Sequence, residues 1–184
     1  MRAILIARAF VQVNWPLLDA PRFRVQSPSM LKVGDRAPDV HATDHTGNPW
    51  QLKVALQRGP VVMFFYPKDF TPVCTSEACL FQSHLPELQT AGAQPVGISS
   101  DDADSHQRFA HKHGLGYPLL VDSGRRIAKA YGALYFGLLP KRVTYVIDRN
   151  QRIAATIHHE LNANAHVQRA LSALQPNTGA PSLL

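Results

Sequence analysis

The chain of 184 residues has two cysteines, Cys74 and Cys79, with four residues between them. Only a thiolate is a nucleophile, and an unperturbed cysteine is mostly protonated at neutral pH. The pair can therefore do redox or nucleophilic chemistry only where its surroundings stabilise the anion. Two cysteines cannot form a disulfide scaffold of the secreted kind, and the CxxxxC spacing is not a four-ligand zinc pattern.

A strand and a helix are predicted on either side of Cys74. Residues 61–66 are all apolar or aromatic, too short a run for a buried helix and rich in β-formers, so they predict a buried central strand. Pro67 ends this strand, and residues 69–72 form a turn. The segment after Cys74 predicts a helix with its apolar positions on one side. Cys74 is thus expected in the first helical turn, where free N–H groups and the helix dipole favour an anion.

A structural explanation of the cysteines stays open, because most free cysteines are small core hydrophobes. The polar, turn-rich neighbours of Cys74, such as Thr71 and Thr75, argue against deep apolar packing of that residue. Cys79 lies between two apolar residues and, taken alone, looks like a core position.

Strands and helices alternate along the rest of the chain. Strands are predicted at 40–42, 50–52, 95–99, 119–121, 142–148 and 152–158, and helices at 86–90, 104–113, 125–131 and 163–174. This order predicts an α/β fold with a mixed central sheet flanked by helices, whose last two strands form an antiparallel hairpin across residues 149–151. Thioredoxin-type folds present a cysteine in this way, although their usual redox spacing is CxxC.

Composition describes an ordinary globular chain, 45% hydrophobic and 17% charged, with a formal net charge of +6. Residues 1–29 contribute half of that charge, through four arginines and one aspartate. Basic residues are nowhere interleaved with aromatic ones in a run, so a nucleic-acid-binding surface is not supported. No stretch approaches the roughly 20 apolar residues of a membrane span.

Three segments are expected along the chain: an extension at 1–29, a domain at 30–174 and a flexible tail at 175–184. The extension could be a secretory signal, a transit peptide or a disordered segment ahead of a true start at Met30. We favour the start at Met30, because domain-like patterning begins directly after it. The expected location is the cytoplasm.

Residues 67–74, PKDFTPVC, match the PxxxTxxC active-site motif of peroxiredoxins. The second cysteine, five residues on, resembles the bacterioferritin-comigratory-protein or peroxiredoxin Q branch of the AhpC/TSA family. Three more segments resemble that branch: LKVGDRAPDV at 31–40, VGISSD at 96–101 and RVTYVID at 142–148. The resemblance spans roughly residues 30–174 and implies a thioredoxin-like fold.

The resemblance also implies a role for each motif residue. The first cysteine of such enzymes is peroxidatic and the second resolving, which places these roles on Cys74 and Cys79. By the same resemblance, Thr71 hydrogen-bonds the peroxide, Pro67 shields the pocket, and Arg142 supports the thiolate and the leaving oxygen. Simpler explanations are a turn residue for Thr71, a strand end for Pro67 and a solvated side chain for Arg142.

The function expected from the resemblance is a thiol-dependent peroxidase acting on hydrogen peroxide and organic hydroperoxides. An intramolecular disulfide would form and be reduced by thioredoxin or a glutaredoxin-type protein. No cofactor, metal, nucleic acid or membrane is expected to take part, and the protein is expected to be a monomer or a weak homodimer.

Two other functions of the same cysteines stay open, a redox sensor or chaperone and a copper-binding protein. The histidines give metal binding little support. His158 and His159 are adjacent on a predicted strand and point to opposite faces, and His111 and His113 are poorly spaced on a helix. Glu77, three residues after Cys74, either joins an active-site network or simply suits the first turn of a helix.

Overall fold

The computed structural model describes residues 29–175. Nine strands are present in this part of the chain: β1 His41–Thr43, β2 Pro49–Gln51, β3 Val61–Phe65, β4 Gln94–Ser99, β5 Leu119–Val121, β6 Leu134–Tyr135, β7 Leu139–Pro140, β8 Val143–Ile147 and β9 Ile153–His158. Six helices accompany them: α1 Leu52–Arg58, α2 Pro72–Ser83, α3 Leu85–Thr90, α4 Ala103–His113, α5 Arg126–Ala130 and α6 Ala163–Leu174.

The five-stranded central sheet has the order β5-β4-β3-β8-β9, with β3 in the middle. Strand β3 pairs in parallel with β4 and antiparallel with β8, so the sheet is mixed as predicted. Its five residues are all buried, which explains why the sequence of β3 shows no polar alternation.

Alternate residues of β3 point into two separate cores. Val61, Met63 and Phe65 face the side covered by α1 and α5. Val62 and Phe64 face the side where α2, α3, α4 and α6 pack. Cys74 belongs to this second core, together with Ala78 and Phe81 of α2. The apolar face of α2 therefore packs against this side of the sheet.

Most of the predicted elements are confirmed, several to within one residue, and β5 and α6 have the predicted bounds. The hairpin of β8 and β9 is also confirmed. The prediction missed α1, because β2 runs directly into it and Gln51 provides no side-chain cap. It also missed the short β6–β7 hairpin. Helix α2 begins at Pro72, slightly earlier than the expected start near Cys74.

Met30 and Leu31 pack against the core that contains α1 and α5. The Leu31 carbonyl accepts a hydrogen bond of 2.8 Å from the hydroxyl of Thr156 on β9. The predicted extension, up to residue 28, and the predicted tail, from residue 176, lie outside the described residues. Within residues 29–175, none of the helices combines the length and the apolar character that crossing a bilayer requires.

Candidate active site

Helix α2 presents Cys74 in its first turn, as the sequence predicts. Pro72 is the first helical residue, where a missing N–H is no loss, and Cys74 is the third. Thr71 precedes the helix with extended backbone, and its side chain makes no capping hydrogen bond. The first N–H groups of α2 are therefore left without a side-chain acceptor, next to the cysteine.

Arg142, just before β8, reaches the cysteine directly. Its Nη2 lies 3.1 Å from Cys74 Sγ, and both residues are buried, with exposed fractions of 3% and 2%. The expectation that polar neighbours keep Cys74 out of deep packing is wrong. The guanidinium supplies a charged partner inside the core, so the sulfur can be buried and still be stabilised as an anion.

Three further hydrogen bonds, two from the guanidinium and one from the backbone, hold Arg142 in place. Its Nη1 donates to Glu77 Oε2 in a buried ion pair, and its Nε donates to the Glu160 carbonyl over 3.0 Å. The backbone N–H of Arg142 also contacts Glu160 Oε1 at 3.3 Å. Arg142 is thus not the solvated strand-end residue of the simpler explanation, and its charge is held in place before any substrate arrives.

Glu77 is fully buried one turn after Cys74 on the same helix. Burial raises the pKa of Glu77 to about 7, although the charge and hydrogen bond of Arg142 act in the opposite direction. Its second oxygen, Oε1, has no hydrogen-bond partner among the described residues. Glu77 therefore belongs to the site, rather than being an acidic residue that simply suits an exposed first turn.

His166 on α6 lies behind Glu77, with its Nδ1 3.5 Å from Glu77 Oε1. The ring Nε2 is 2.9 Å from the His159 carbonyl, which can only accept, so Nε2 carries the proton. Nδ1 then accepts from the Thr144 hydroxyl at 2.8 Å. Burial lowers the pKa of His166 to about 4, so the ring is neutral at physiological pH. A neutral ring adds no positive charge beside Glu77 Oε1, so the positive charge that faces this carboxyl group comes from Arg142.

Asp69 holds the loop between β3 and α2 to the body of the domain. Its buried carboxylate accepts three hydrogen bonds of 2.8 Å, from Tyr66 Oη, Ser105 Oγ and His106 Nδ1. Its backbone N–H donates to Asp101 Oδ2 over 2.9 Å. Burial acts to raise the pKa of Asp69, but these hydrogen bonds and the charge of His106 outweigh it and hold that pKa below its usual value.

The rest of this loop is more exposed. Phe70 has a φ of 61°, a left-handed conformation that costs energy for a residue with a side chain. Its ring packs edge-on against Phe109 of α4, with the ring centroids 5.2 Å apart. Thr71 Oγ1 donates to the Lys68 carbonyl over 3.0 Å, and Pro67 is half-buried at the end of β3. Both residues lie on the loop that leads to Cys74.

Cys79 lies on the same continuous helix as Cys74, and both are free thiols. It is half-buried, and its Sγ is 3.7 Å from Nδ1 of His113, the last residue of α4. Five residues on one helix separate two Cα atoms by roughly 8–9 Å, given a rise of 1.5 Å and 3.6 residues per turn. The five predicted site residues therefore form two groups: Pro67, Thr71, Cys74 and Arg142 at the start of α2, and Cys79 in its second half.

Four residues around the site were given no functional role by the sequence interpretation: His166, Thr144, Glu160 and Asp69. His166 reaches the site from α6, and nothing in its local sequence marks it. Thr144 reaches the site from β8 and lies within the RVTYVID segment, but that pattern indicates only a strand position. Asp69 was interpreted only as a turn residue, because its partners Ser105 and His106 on α4 are brought near by tertiary packing. Within residues 29–175, no group of three or more His, Cys, Asp or Glu side chains is placed to hold a metal ion.

Comparison with known proteins adds to this geometry. The model of the AhpC/TSA family matches residues 33–156, about two thirds of the chain. The chain belongs to the AhpC/TSA family. Members of this family that are peroxiredoxins reduce hydroperoxides with a thiol, and the chain shares its site motif with them.

Similar proteins come from bacteria and plants. The chain is 40% identical to the peroxidoxin BcpB of Mycobacterium tuberculosis, over 79% of this chain and 97% of that one, with a TM-score of 0.75. It is 38% identical to the chloroplastic peroxiredoxin Q of Sedum lineare over 77% of each chain. The bacterioferritin comigratory protein of Xanthomonas campestris is 26% identical, covers 80% of this chain and 98% of its own, and has a TM-score of 0.69.

These matches confirm the resemblance to the peroxiredoxin Q branch and the thioredoxin-like fold. The AhpC/TSA membership and the peroxiredoxin relatives identify the chain as a thiol peroxidase. Its substrate is a hydroperoxide, and a thiol must reduce it after each turnover.

Proposed function

We propose that the chain is a two-cysteine peroxidase in which Cys74 attacks the hydroperoxide and Cys79 resolves the product. The observation that carries the proposal is the 3.1 Å contact between Arg142 Nη2 and Cys74 Sγ at the start of α2. A thiolate held against a fixed positive charge is the nucleophile that cleavage of an O–O bond needs.

In the first step, the Cys74 thiolate sulfur attacks one oxygen of the hydroperoxide. An S–O bond forms, the O–O bond breaks, and the departing oxygen takes a proton and leaves as water or an alcohol. The sulfur is oxidised to a sulfenic acid. Arg142 stabilises the thiolate and the negative charge that develops on the departing oxygen. The Thr71 hydroxyl would turn from the Lys68 carbonyl to bind the peroxide, and Pro67 would shield the pocket.

In the second step, the Cys79 sulfur attacks the Cys74 sulfenic acid, a disulfide forms, and water leaves. A Cα separation of roughly 8–9 Å exceeds the ~7 Å limit for a disulfide without backbone movement. The first turns of α2 must therefore unwind after Cys74 is oxidised. The strained Phe70 and the hydroxyls of Thr75 and Ser76, which compete with helical hydrogen bonds, favour such unwinding. A dithiol protein of the thioredoxin or glutaredoxin type then reduces the disulfide by exchange.

The direct test is NADPH consumption in the presence of hydrogen peroxide, thioredoxin and thioredoxin reductase, repeated with glutaredoxin and glutathione. Cys74→Ser should abolish turnover. Cys79→Ser should keep the first oxidation of Cys74 but lose most turnover with either dithiol protein. Substantial turnover of Cys74→Ser would move the site elsewhere. Full turnover of Cys79→Ser would reduce the mechanism to one cysteine.

Hydrogen exchange on the two redox states tests the unwinding. A verified disulfide form should exchange its amides faster than the reduced form across residues 74–80. Equal protection of that segment in both forms would exclude local unwinding, and would return Cys79 to its alternative role as a core residue.

A further inference from the structure

Cys79 lacks the features that support a thiolate at Cys74. It is the eighth residue of α2, so its own N–H group is inside the helix and the positive end of the dipole is two turns away. No arginine or lysine hydrogen-bonds its sulfur within the described residues. A resolving cysteine nevertheless has to attack as the thiolate.

The imidazole of His113 is the polar group that contacts this sulfur, at 3.7 Å from Nδ1. Its ring is held in place, because it packs edge-on against Phe109 with 4.9 Å between the centroids. Helix α4 itself is capped at both ends, by the Asp102 carboxylate at its start and by Gly114 in the left-handed conformation at its end. His113 is half-buried, and its Nε2 makes no hydrogen bond within residues 29–175, so the ring can exchange protons with solvent.

We propose that His113 is the general base of the resolving step, a role that rests on the two-cysteine cycle proposed above. Nδ1 takes the thiol proton of Cys79 and leaves a thiolate beside an imidazolium. The thiolate sulfur attacks the sulfur of the Cys74 sulfenic acid, the S–S bond forms and the S–O bond breaks. The departing hydroxide takes a proton from the imidazolium, directly or through solvent, and leaves as water. Cys79 is oxidised, Cys74 is reduced, and His113 returns to its neutral form.

The order of events follows from the positions of the two helices. The side chain of Cys79 has to move away from its contact with α4 when α2 unwinds. His113 belongs to α4, which is capped and has no need to move. His113 therefore acts on Cys79 before the release, so that the sulfur is already a thiolate when it becomes free to reach Cys74.

The test compares His113→Gln with His111→Gln, which changes an exposed histidine of the same helix that does not contact Cys79. One equivalent of hydrogen peroxide is added to reduced protein, samples are quenched with an alkylating reagent, and mass spectrometry counts sulfenic acid and disulfide. His113→Gln should oxidise Cys74 at the wild-type rate but form the disulfide at least about 10-fold more slowly, as loss of a general base implies. His111→Gln should match the wild type in both steps.

Two further measurements separate a chemical role from a packing role. Added imidazole should restore part of the disulfide rate in His113→Gly, which opens space beside Cys79. Alkylation of Cys79 in a Cys74→Ser background should slow about 10-fold with His113→Gln, because only the thiolate reacts and its base has been removed. This measurement needs no disulfide. Unchanged Cys79 alkylation, or an unchanged disulfide rate, would overturn the role of His113. A wild type that forms no Cys74–Cys79 disulfide would instead overturn the two-cysteine cycle.

Discussion

Arg142 and Cys74 are 68 positions apart in the chain, yet the guanidinium Nη2 lies 3.1 Å from the cysteine sulfur in the core of the domain. The central sheet makes this possible, because β8, which follows Arg142, pairs with β3, which leads to the Cys74 loop. Because the two strands are antiparallel, the end of β3 lies beside the start of β8, where Phe65 pairs with Val143. Arg142 is in turn fixed by Glu77 and by the Glu160 carbonyl, so its charge needs no rearrangement when peroxide arrives.

Replacing Arg142 with methionine should lower the rate of Cys74 oxidation by about 10²–10³-fold, the usual effect of removing a preorganised donor from a reacting oxygen. The rate is measured in a single turnover, by stopped-flow mixing of reduced protein with hydrogen peroxide. Arg108→Met is the matched control, since Arg108 is exposed on α4 and far from this contact in the chain. A rate close to that of the wild type in Arg142→Met would mean that the guanidinium plays no part in the reaction.

Glu77 and Arg142 should depend on each other for stability. Removing one partner of a buried ion pair typically costs about 3–5 kcal/mol, because the other charge is left uncompensated. At pH 8, where Glu77 with a pKa of about 7 is mostly ionised, we expect Glu77→Gln and Arg142→Met each to destabilise the reduced protein. The double variant should be more stable than the sum predicts by about 0.5–3 kcal/mol. Urea unfolding of the four proteins gives this coupling energy. If the two losses of stability were strictly additive, Glu77 and Arg142 would not interact directly in the folded protein.

His166 should stay neutral well below neutral pH, since burial lowers its pKa to about 4. In the folded protein the ring resists the proton that the unfolded chain takes up near pH 6.5. The contribution of His166 to stability is therefore full above pH 6.5 and is lost as the pH falls through about 4. Nitrogen chemical shifts of the labelled ring, followed by NMR between pH 7 and 4, report its charge directly. A ring that becomes protonated at or above pH 6.5 would refute the neutral assignment.

Glu77 should change stability in the opposite direction over the same pH range. Its pKa is raised to about 7, so its contribution is full below about 4.5 and is lost as the pH rises through 7. The two groups offset each other in the wild type. The free energy of unfolding is therefore measured for His166→Asn and for the wild type at each pH. The difference between the two should fall as the pH drops from 6.5 to about 4, although the wild type alone shows little change.

Asp69→Ala should loosen the loop before α2. The variant leaves the buried donors of Tyr66 and His106 without their acceptor, and each such group costs about 1–3 kcal/mol. Amides of residues 67–76 should exchange faster than in the wild type. Asp102→Ala is a suitable control, because it removes the N-cap of α4, worth typically about 1 kcal/mol, without touching the loop. Equal exchange of residues 67–76 in both variants would show that Asp69 is not the anchor.

Local signals in the sequence predicted much of the fold and the position of the reactive thiol. The apolar run of β3 and the Pro–Cys start of α2 are local features, and Asn162 caps α6 where the pattern places it. Helix α1 was missed because no cap or glycine separates it from β2. The burial of Cys74 was misjudged because the polar residues around it in the sequence do not indicate its contact with Arg142. The pairing of β3 with β8 brings Arg142 near. His166 was missed because it lies on α6, far along the chain from Glu77, and approaches the site only through tertiary packing.

The arrangement of Cys74, Glu77 and Arg142 has one consequence for the charge of the pocket. A single buried guanidinium faces two acidic groups, and Glu77, with a pKa near 7, can hold or release a proton close to physiological pH. While Cys74 is a thiolate, a protonated Glu77 keeps the trio electroneutral. When Cys74 becomes a neutral sulfenic acid, an ionised Glu77 keeps it electroneutral again. In the first step proposed above, the proton that Glu77 would give up equals the one that the departing oxygen needs, so oxidation would proceed without drawing net charge into the core.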